Sequence, residues 1–277
     1  FTDSFLFYIS TLLARKKLSR SKKRFKLFTI ITLLFIGGIL GFIAFRKIKD
    51  YFTQPDIENF KLYPGFGIYI PEDYEIHGID VSRYQKKINW GLVKSMNDQG
   101  KKIGFAIIKS TEGISYKDPM FDRNWKQAKK NEVPRGAYHF FNAGKSGREQ
   151  AENFIKHVQL EPGDLPPVLD IETLKNTSAA TMQQNVAEWL LIVEEYYQVK
   201  PIIYSGASFY SNYLQEKFPD YPLWVAHYLQ MKAPRTTNKN WHFWQHSETG
   251  NVNGIEAKVD FNVFYGDSSD FRNLLIK

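Results

Sequence analysis

Short apolar runs, rich in β-branched and aromatic residues, recur along the chain from residue 77 onward. Eight runs of this kind are typical of β-strands. They are GIDVS (78–82), FAIIKS (105–110), GAYHFF (136–141), PVLDIE (167–172), PIIYSG (201–206), LWVAHY (223–228), WHFWQHS (241–247) and VDFNVF (259–264).

Helical patterns fill the gaps after the second, third and fourth runs, at 119–131, 146–158 and 178–198. In the last of these, apolar residues such as Val186 and Leu190 recur every three or four positions, as on the buried face of a helix. The early runs start roughly 30 residues apart, which suits parallel strands joined by helical crossovers. The later spacing is shorter, and its connections are rich in Pro, Asn and Gly, so we expect loops or hairpins there.

Eight strands with helices between the early ones predict an α/β fold, an irregular β/α barrel that is small for its class. The alternative is an open α/β sheet. No glycine-rich phosphate-binding sequence follows the first run, which disfavours a dinucleotide-binding sheet.

The segment 27–45 contains 19 residues without a charge, enough for a helix to cross a hydrocarbon core of about 30 Å. Eight basic residues precede it and only three follow it closely, so we expect 1–26 to be a cytoplasmic segment and 27–45 a single-pass transmembrane helix in the inner membrane. A stalk over 46–75 would then lead to a barrel over 76–277 on the opposite side of the membrane. A cleavable signal peptide and a buried core helix are the alternatives.

The net charge of +8 is concentrated in this leader. Residues 1–50 hold 11 of the 37 basic side chains and two of the 29 acidic ones, so the rest of the chain is nearly neutral and lacks the charge pattern of a nucleic-acid-binding protein. Cysteine is absent, which excludes disulfides, thiolate metal sites and a cysteine nucleophile.

Four acidic residues fall at strand ends. Asp170 and Glu172 close the fourth run, two positions apart and therefore on one face of a strand. Asp80 ends the first run and Asp260 begins the last. First and last strands are neighbours in a closed barrel, so all four carboxyl groups should meet at the mouth that carries the active site in such barrels. Taken singly, each acid is more typical of a turn or helix cap than of a catalytic site.

Two carboxyl groups held close together cannot ionise independently, so one of them can donate a proton near neutral pH. We expect an ionised Asp170 to raise the pKa of Glu172. Such a pair is typical of glycoside hydrolysis. A catalytic metal is the competing use, but the six histidines show no HExxH or HxH spacing, and no Gly-x-Ser-x-Gly sequence indicates a serine hydrolase.

Aromatic residues lie near the same strand ends, and flat rings with a polar edge suit sugar faces. The candidates for substrate binding are Tyr138, Tyr204, Trp224, Tyr228 and Trp244. Ordinary core packing is the alternative for each. Lys109 and Glu112 could form an ion pair at the mouth, and Lys109 is a further candidate for substrate binding.

The ordered set HGIDVSRYQ…INW, FAIIKSTEG, GAYHFF, PVLDIE, PIIYSG, LWVAHY and FWQHSETGNVNGIEAKVDFNVF resembles the strand motifs of glycoside hydrolase family 25, the Chalaropsis-type lysozymes, over residues 77 to about 265. The resemblance implies a flattened barrel of eight strands and five helices without a cofactor. It implies cleavage of the β-1,4 bond between N-acetylmuramic acid and N-acetylglucosamine in peptidoglycan. Glu172 would be the general acid/base, and Asp170, Asp80 and Asp260 would complete the site.

Departures from the family pattern lie in rim loops. Lys86 and Lys87 stand where a Gly is common, Asn89 where an Asp is common, and the continuation HFFNAG is unusual. Two other functions remain open at this point. One is a catalytically silent peptidoglycan-binding module, and the other is hydrolysis of a different N-acetylglucosamine polymer such as chitin.

Overall fold

Eight strands close into a barrel in the computed structural model, which describes residues 37–38, 41–42, 59–228, 233–234 and 241–277. Each predicted run forms one of the barrel strands. In chain order the strands are β1 (Phe60–Tyr63), β2 (Ile68–Pro71), β3 (Ile76–Val81), β4 (Asn97–Asp98), β5 (Lys101–Glu112), β6 (Tyr116–Lys117), β7 (Arg135–Phe140), β8 (Val168–Asp170), β9 (Ile202–Gly206), β10 (Leu223–Ala226), β11 (Trp241–Val252) and β12 (Ile255–Phe264).

The barrel order is β3-β12-β11-β10-β9-β8-β7-β5, and a β3–β5 pairing closes it. All neighbours are parallel except that β12 runs antiparallel to β11 and to β3. The closed barrel, the early parallel strands and the late hairpin are confirmed, and the open sheet is wrong.

Helices cover the outer face of the early strands. They are α1 (Trp90–Ser95), α2 (Phe121–Lys130), α3 (Gly147–His157), α4 (Ala179–Tyr197), α5 (Ala207–Phe209) and α6 (Ser268–Leu274). Ser146 and Ser178 cap α3 and α4 by accepting a backbone N–H from the first turn, which is the usual reason that a helix begins at such residues. About six helices are therefore present in the described part of the chain, against the five expected, and α5 is only three residues long.

Successive side chains of a barrel strand point alternately outward and inward, so one apolar core lies outside the sheet and another inside it. On β3, Ile79 and Val81 belong to the core between barrel and helices, while Asp80 lines the inside of the barrel. The interior below the acids is filled by a second apolar cluster, in which Gly78 leaves room for the ring of Phe105. Phe271 of α6 packs against Phe105 with ring centroids 5.6 Å apart, so the C-terminal helix closes this end.

At the end of the barrel where the parallel strands begin, a buried ion pair fixes β7. Arg135 donates to Asp164 through two nitrogens, at 2.8 and 3.1 Å, and both side chains are nearly inaccessible to solvent. The guanidinium also stacks on Trp125, 3.8 Å from the ring centroid, and donates to the Trp125 carbonyl oxygen at 2.6 Å. Every contact of this cation is thus made within the protein.

An antiparallel hairpin, β1–β2, precedes the barrel and packs on its outside. Phe60 contacts Trp244 with ring centroids 6.0 Å apart, and Phe66 contacts Phe261 at 5.2 Å. The backbone N–H of Asn251 donates to the Phe66 carbonyl oxygen at 2.8 Å. The hairpin covers strands β11 and β12 where no helix of the described chain does, so part of the predicted stalk 46–75 is a packed element of the barrel unit, Glu58–Lys277.

The predicted cytoplasmic segment 1–26 and the predicted transmembrane helix 27–45 lie outside the described residues, apart from 37–38 and 41–42. Among the residues that are described, no helix is both long enough and apolar enough to cross a membrane.

Candidate active site

A cleft of about 250 Å³ opens at the carboxyl ends of the parallel strands. The four carboxylates predicted from the sequence all line it, although the strands that carry them lie far apart in the chain. Asp80 comes from β3, Asp170 and Glu172 from β8 and the residues after it, and Asp260 from β12. Glu248, which the sequence did not single out, is a fifth acid in the lining.

Asp80 and Asp260 form one carboxyl pair. They stand directly opposite each other across the β3–β12 ladder, and their side chains share a hydrogen bond. Burial and the neighbouring charge of Asp80 raise the pKa of Asp260. Two carboxyl groups share a hydrogen bond only if one is protonated, so we assign the proton to Asp260, which donates it to Asp80.

Two amides hold Asp80. Gln245 and Asn262 each donate to Asp80 Oδ2, at 2.7 and 2.8 Å. These donors favour the ionised Asp80 and oppose the rise in its pKa caused by burial. Asn262 is itself positioned by the Trp224 indole, which donates to Asn262 Oδ1 at 2.8 Å.

Gln245 was missed as a site residue by the sequence reasoning. Its Oε1 accepts the hydroxyl groups of Tyr204, at 2.7 Å, and of Tyr228. A single amide therefore ties two tyrosines to Asp80. The available signal was its position, since Gln245 falls in a strand run that is otherwise apolar and aromatic.

Asp170 and Glu172 form the second carboxyl pair, and they differ in their surroundings. Asp170 is 6% exposed, and its Oδ1 has no hydrogen-bond partner among the described residues. Burial, followed by the charge of Glu172, raises the pKa of Asp170 well above its usual range. Glu172 lies beyond the end of β8, and the residue as a whole is exposed. Its carboxyl group is nevertheless partly desolvated in the cleft, and this raises the pKa of Glu172.

This order of pKa values corrects one expectation. We expected Asp170 to be the ionised member of the pair, but burial favours a proton on Asp170 more than on Glu172. The main physical reason is that Asp170 is nearly inaccessible to solvent whereas Glu172 is exposed as a whole residue. Lys109 opposes the rise in the pKa of both groups, and Lys175 further lowers the pKa of Glu172. The charge of Glu172 adds to this effect, because it raises the pKa of Asp170 further.

Lys109 occupies the wall of the cleft, as predicted. Its Nζ lies 2.6 Å from Glu112 Oε2, which confirms the expected ion pair. The same ammonium group lies 4.6 Å from the ring centroid of Phe140, and Lys175 lies 5.2 Å from that centroid. The ammonium groups of Lys109 and Lys175 thus both lie against the ring of Phe140, beside Glu172.

Of the five aromatic candidates, four line the cleft: Tyr138, Tyr204, Trp224 and Tyr228. Tyr204 and Trp224 pack on each other with ring centroids 4.4 Å apart and are almost inaccessible, so they form the floor of the cleft. Trp244 is in the wrong place for substrate binding and is fully buried in the outer core. Its neighbours Phe243 and Gln245 point into the barrel, which turns Trp244 outward, where its indole donates to the His227 carbonyl oxygen at 3.0 Å.

The cleft thus combines carboxyl groups whose pKa values are raised by burial with a buried oxygen, Asp170 Oδ1, that can accept a hydrogen bond from a ligand. No group of three His, Cys, Asp or Glu side chains is placed as a metal site would require in the part of the chain described. The chemistry available is that of general acids and bases.

Comparison with known proteins bears on this site. The sequence model of the glycosyl hydrolases family 25 matches residues 79–255. The chain is 44% identical over 229 residues to the protein YegX of Escherichia coli O6:H1 (83% of each chain). It is 35% identical over 214 residues to lysozyme M1 of Streptomyces globisporus (70% of this chain and 69% of the relative).

Among solved structures, a family 25 glycosyl hydrolase from Bacillus anthracis superimposes with a TM-score of 0.68 at 33% identity, covering 74% of this chain and 95% of the other. The resemblance inferred from the strand motifs is confirmed. The protein is a glycoside hydrolase and belongs to glycosyl hydrolases family 25.

Proposed function

We propose that this protein is a membrane-anchored lysozyme that hydrolyses the β-1,4 bond between N-acetylmuramic acid and N-acetylglucosamine in peptidoglycan. Lysozyme M1, a relative at 35% identity, supports the substrate class. The cleft itself supports the chemistry, because it combines acidic groups with aromatic edges at the mouth of the barrel.

The observation that carries the proposal is the unpartnered Asp170 Oδ1 beside Glu172. Sugars with a 2-acetamido group present an N–H donor next to the carbon that reacts. Donation from this N–H to Asp170 favours the ionised form of Asp170. An ionised Asp170 in turn raises the pKa of Glu172, so Glu172 keeps the proton that a general acid needs.

In the first step Glu172 protonates the glycosidic oxygen as the bond from that oxygen to C1 breaks. The acetamido oxygen of the same sugar forms the new bond to C1, and Asp170 stabilises the positive charge of the resulting oxazolinium ion. In the second step ionised Glu172 removes a proton from water, whose oxygen attacks C1 and reopens the ring. Substrate assistance of this kind is an alternative to a carboxylate nucleophile.

The bond specificity is tested by mass spectrometry of the products released from purified peptidoglycan, with chitin digested in parallel. The proposal expects new reducing ends on N-acetylmuramic acid and little release from chitin. Reducing ends on N-acetylglucosamine, or faster release from chitin, would refute the bond assignment. Binding to peptidoglycan without any release would instead identify a silent binding module.

The role of Asp170 is tested with an activated fluorosugar that keeps its acetamido group. Substrate assistance expects no covalent adduct, because Asp170 does not attack the sugar. Isolation of a peptide carrying a sugar ester on Asp170 would replace this mechanism with a covalent one.

The cellular arrangement is the same as the one that the sequence predicts. Residues 1–26 would remain in the cytoplasm, 27–45 would span the membrane, and the barrel would face the cell wall. Protease added to intact spheroplasts should degrade the barrel or release it from the membrane. Complete protection of the barrel while the membrane is intact would reverse the orientation.

A further inference from the structure

A second pocket lies on the flank of the barrel, between α2 and the loop that leads into α1. Its volume is about 340 Å³. The polar side chains that line it are three cations and three amides: Lys87, Arg123, Lys130, Asn89, Gln127 and Asn131. No acidic residue is among the described residues that line this flank pocket.

The charge in the flank pocket is unbalanced. Arg123 is half-buried, and its Nη1 is inaccessible to solvent without a hydrogen-bond partner in the described structure. The adjacent Asp122 does not compensate it, because that carboxylate pairs with Lys117 at 2.7 Å. A desolvated guanidinium nitrogen without an acceptor is costly, so the pocket is suited to an anion that supplies one.

One short loop connects the lining of the active-site cleft to the lining of the flank pocket. Ser82, Tyr84 and Gln85 line the cleft, while Lys87 begins the lining of the flank pocket two residues later. The carboxylate of Asp118 holds both this loop and the start of α2 in place. It accepts the backbone N–H of Arg83 at 3.0 Å and that of Met120, just before α2, at 2.9 Å. A branched polymer seated in the cleft could therefore reach the flank pocket with a side group.

We propose that the flank pocket binds a carboxylate of the acidic peptides that branch from peptidoglycan glycan strands. The inference rests on the proposed function, since it extends the same substrate beyond its sugars. A planar guanidinium with amides beside it matches a carboxylate well. A phosphate from a lipid headgroup would satisfy the same cations, but the junction with the cleft favours a group attached to the polymer being cleaved.

The test compares two substrates, peptidoglycan with its peptides intact and the same glycan stripped of peptides by an amidase. Arg123→Gln should raise KM about tenfold on the intact substrate, the loss expected for one charged hydrogen bond, and leave kcat unchanged. On the stripped glycan the variant and the wild type should be equal. Lys130→Gln, a change at an exposed position that does not threaten the fold, should act in the same direction.

Lys126→Gln is the matched control, because Lys126 is an exposed cation on α2 outside the flank pocket. An unchanged KM in both pocket variants on intact peptidoglycan, or the same loss on stripped glycan, would overturn the proposal. Binding of wild type but not Arg123→Gln to vesicles of anionic lipid, with KM unchanged, would assign the pocket to headgroups and also overturn it. If wild type cleaves neither glycan, the proposed function itself fails, which is a distinguishable result.

Discussion

The two ends of the barrel hold buried charge in opposite ways. Where the parallel strands begin, Arg135 and Asp164 satisfy each other through two hydrogen bonds, and Trp125 completes the environment of the guanidinium. Where the strands end, acids face acids, and Asp170 retains an oxygen without a partner among the described residues. The protein itself satisfies the first arrangement, whereas the second leaves a buried acceptor that a donor on the proposed substrate would satisfy.

The same contrast recurs inside the cleft. Asp80 accepts two amide donors and the proton of Asp260, so this carboxyl pair is held by the protein. Asp170 and Glu172 have no such amide donors among the described residues, and burial raises the pKa of both. Substitutions should therefore separate residues that maintain the fold or the shape of the cleft from residues that react, and four predictions examine this separation.

The largest effect is expected from Glu172→Gln. The amide keeps the volume of the side chain but cannot donate a proton to the leaving oxygen, so kcat should fall about 10²–10⁴-fold while the free energy of unfolding changes little. Product release from peptidoglycan and urea denaturation measure the two quantities. Glu248→Gln, a change to another acid of the cleft lining, is the control and should retain most activity. If Glu172→Gln keeps more than about a tenth of the wild-type rate, the proton donor lies elsewhere.

Arg135→Leu tests the buried ion pair at the opposite end of the barrel. It leaves Asp164 buried without its cation, so the free energy of unfolding should fall by about 3–5 kcal/mol, while kcat of the folded fraction stays near that of the wild type. Urea denaturation provides the measurement. Arg148→Leu is the control, because Arg148 pairs with Glu188 at an exposed site where little change is expected. Similar stability of both variants would show that the buried pair contributes nothing.

Gln245→Leu should affect stability and activity together. It removes the acceptor of two tyrosine hydroxyl groups and one donor to Asp80, which should cost about 1–3 kcal/mol in stability and lower kcat/KM about tenfold. Gln183→Leu removes a hydrogen bond to the Tyr213 carbonyl oxygen away from the cleft and should leave kcat/KM unchanged. Wild-type kcat/KM in Gln245→Leu would contradict a positioning role for Gln245.

Lys109→Met should produce the smallest effect, a shift in pH dependence. The positive charge of Lys109 lowers the pKa of Glu172, so its removal should raise that pKa. A general acid acts in its protonated form, and kcat reports ionisation in the enzyme–substrate complex, so the fall of kcat on the alkaline side should move to higher pH. Lys117→Met, a change at an ion pair with Asp122, is the control and should leave the profile unchanged. A shift of the alkaline limb to lower pH in Lys109→Met would contradict the assignment of that limb to Glu172.

Much of the barrel could be predicted because apolar runs and helical periodicity are dictated by burial. The acids of the cleft were predictable for the same reason, since Asp80 and Asp170 interrupt or end runs that are otherwise apolar. Carboxylates are costly to bury, so their presence there indicates chemistry.

The remaining features depend on packing that a single sequence does not encode in a simple pattern. Strand β11 is covered on both faces, so its run WHFWQHS shows no alternation and does not reveal that Trp244 points outward and Gln245 inward. The ionisation of Asp170 depends on burial, on the charge of Glu172 and on Lys109, which comes from a different barrel strand. The hairpin had a local signal, since FKLYPGFGIYIP (60–71) contains a Pro-Gly turn between two strand-like runs.

That hairpin also has a mechanical consequence. A pull transmitted along the chain from before residue 59 reaches β1 first, and β1 pairs only with β2 through a register of four residues. Each barrel strand, by contrast, is bonded on both sides within a closed ring. Two-stranded ribbons are marginal alone, so under tension we expect β1 to peel away, with Phe60 leaving Trp244, before any barrel strand separates. The released residues would lengthen the extended chain and lower the tension on the barrel, so the cleft would keep its shape.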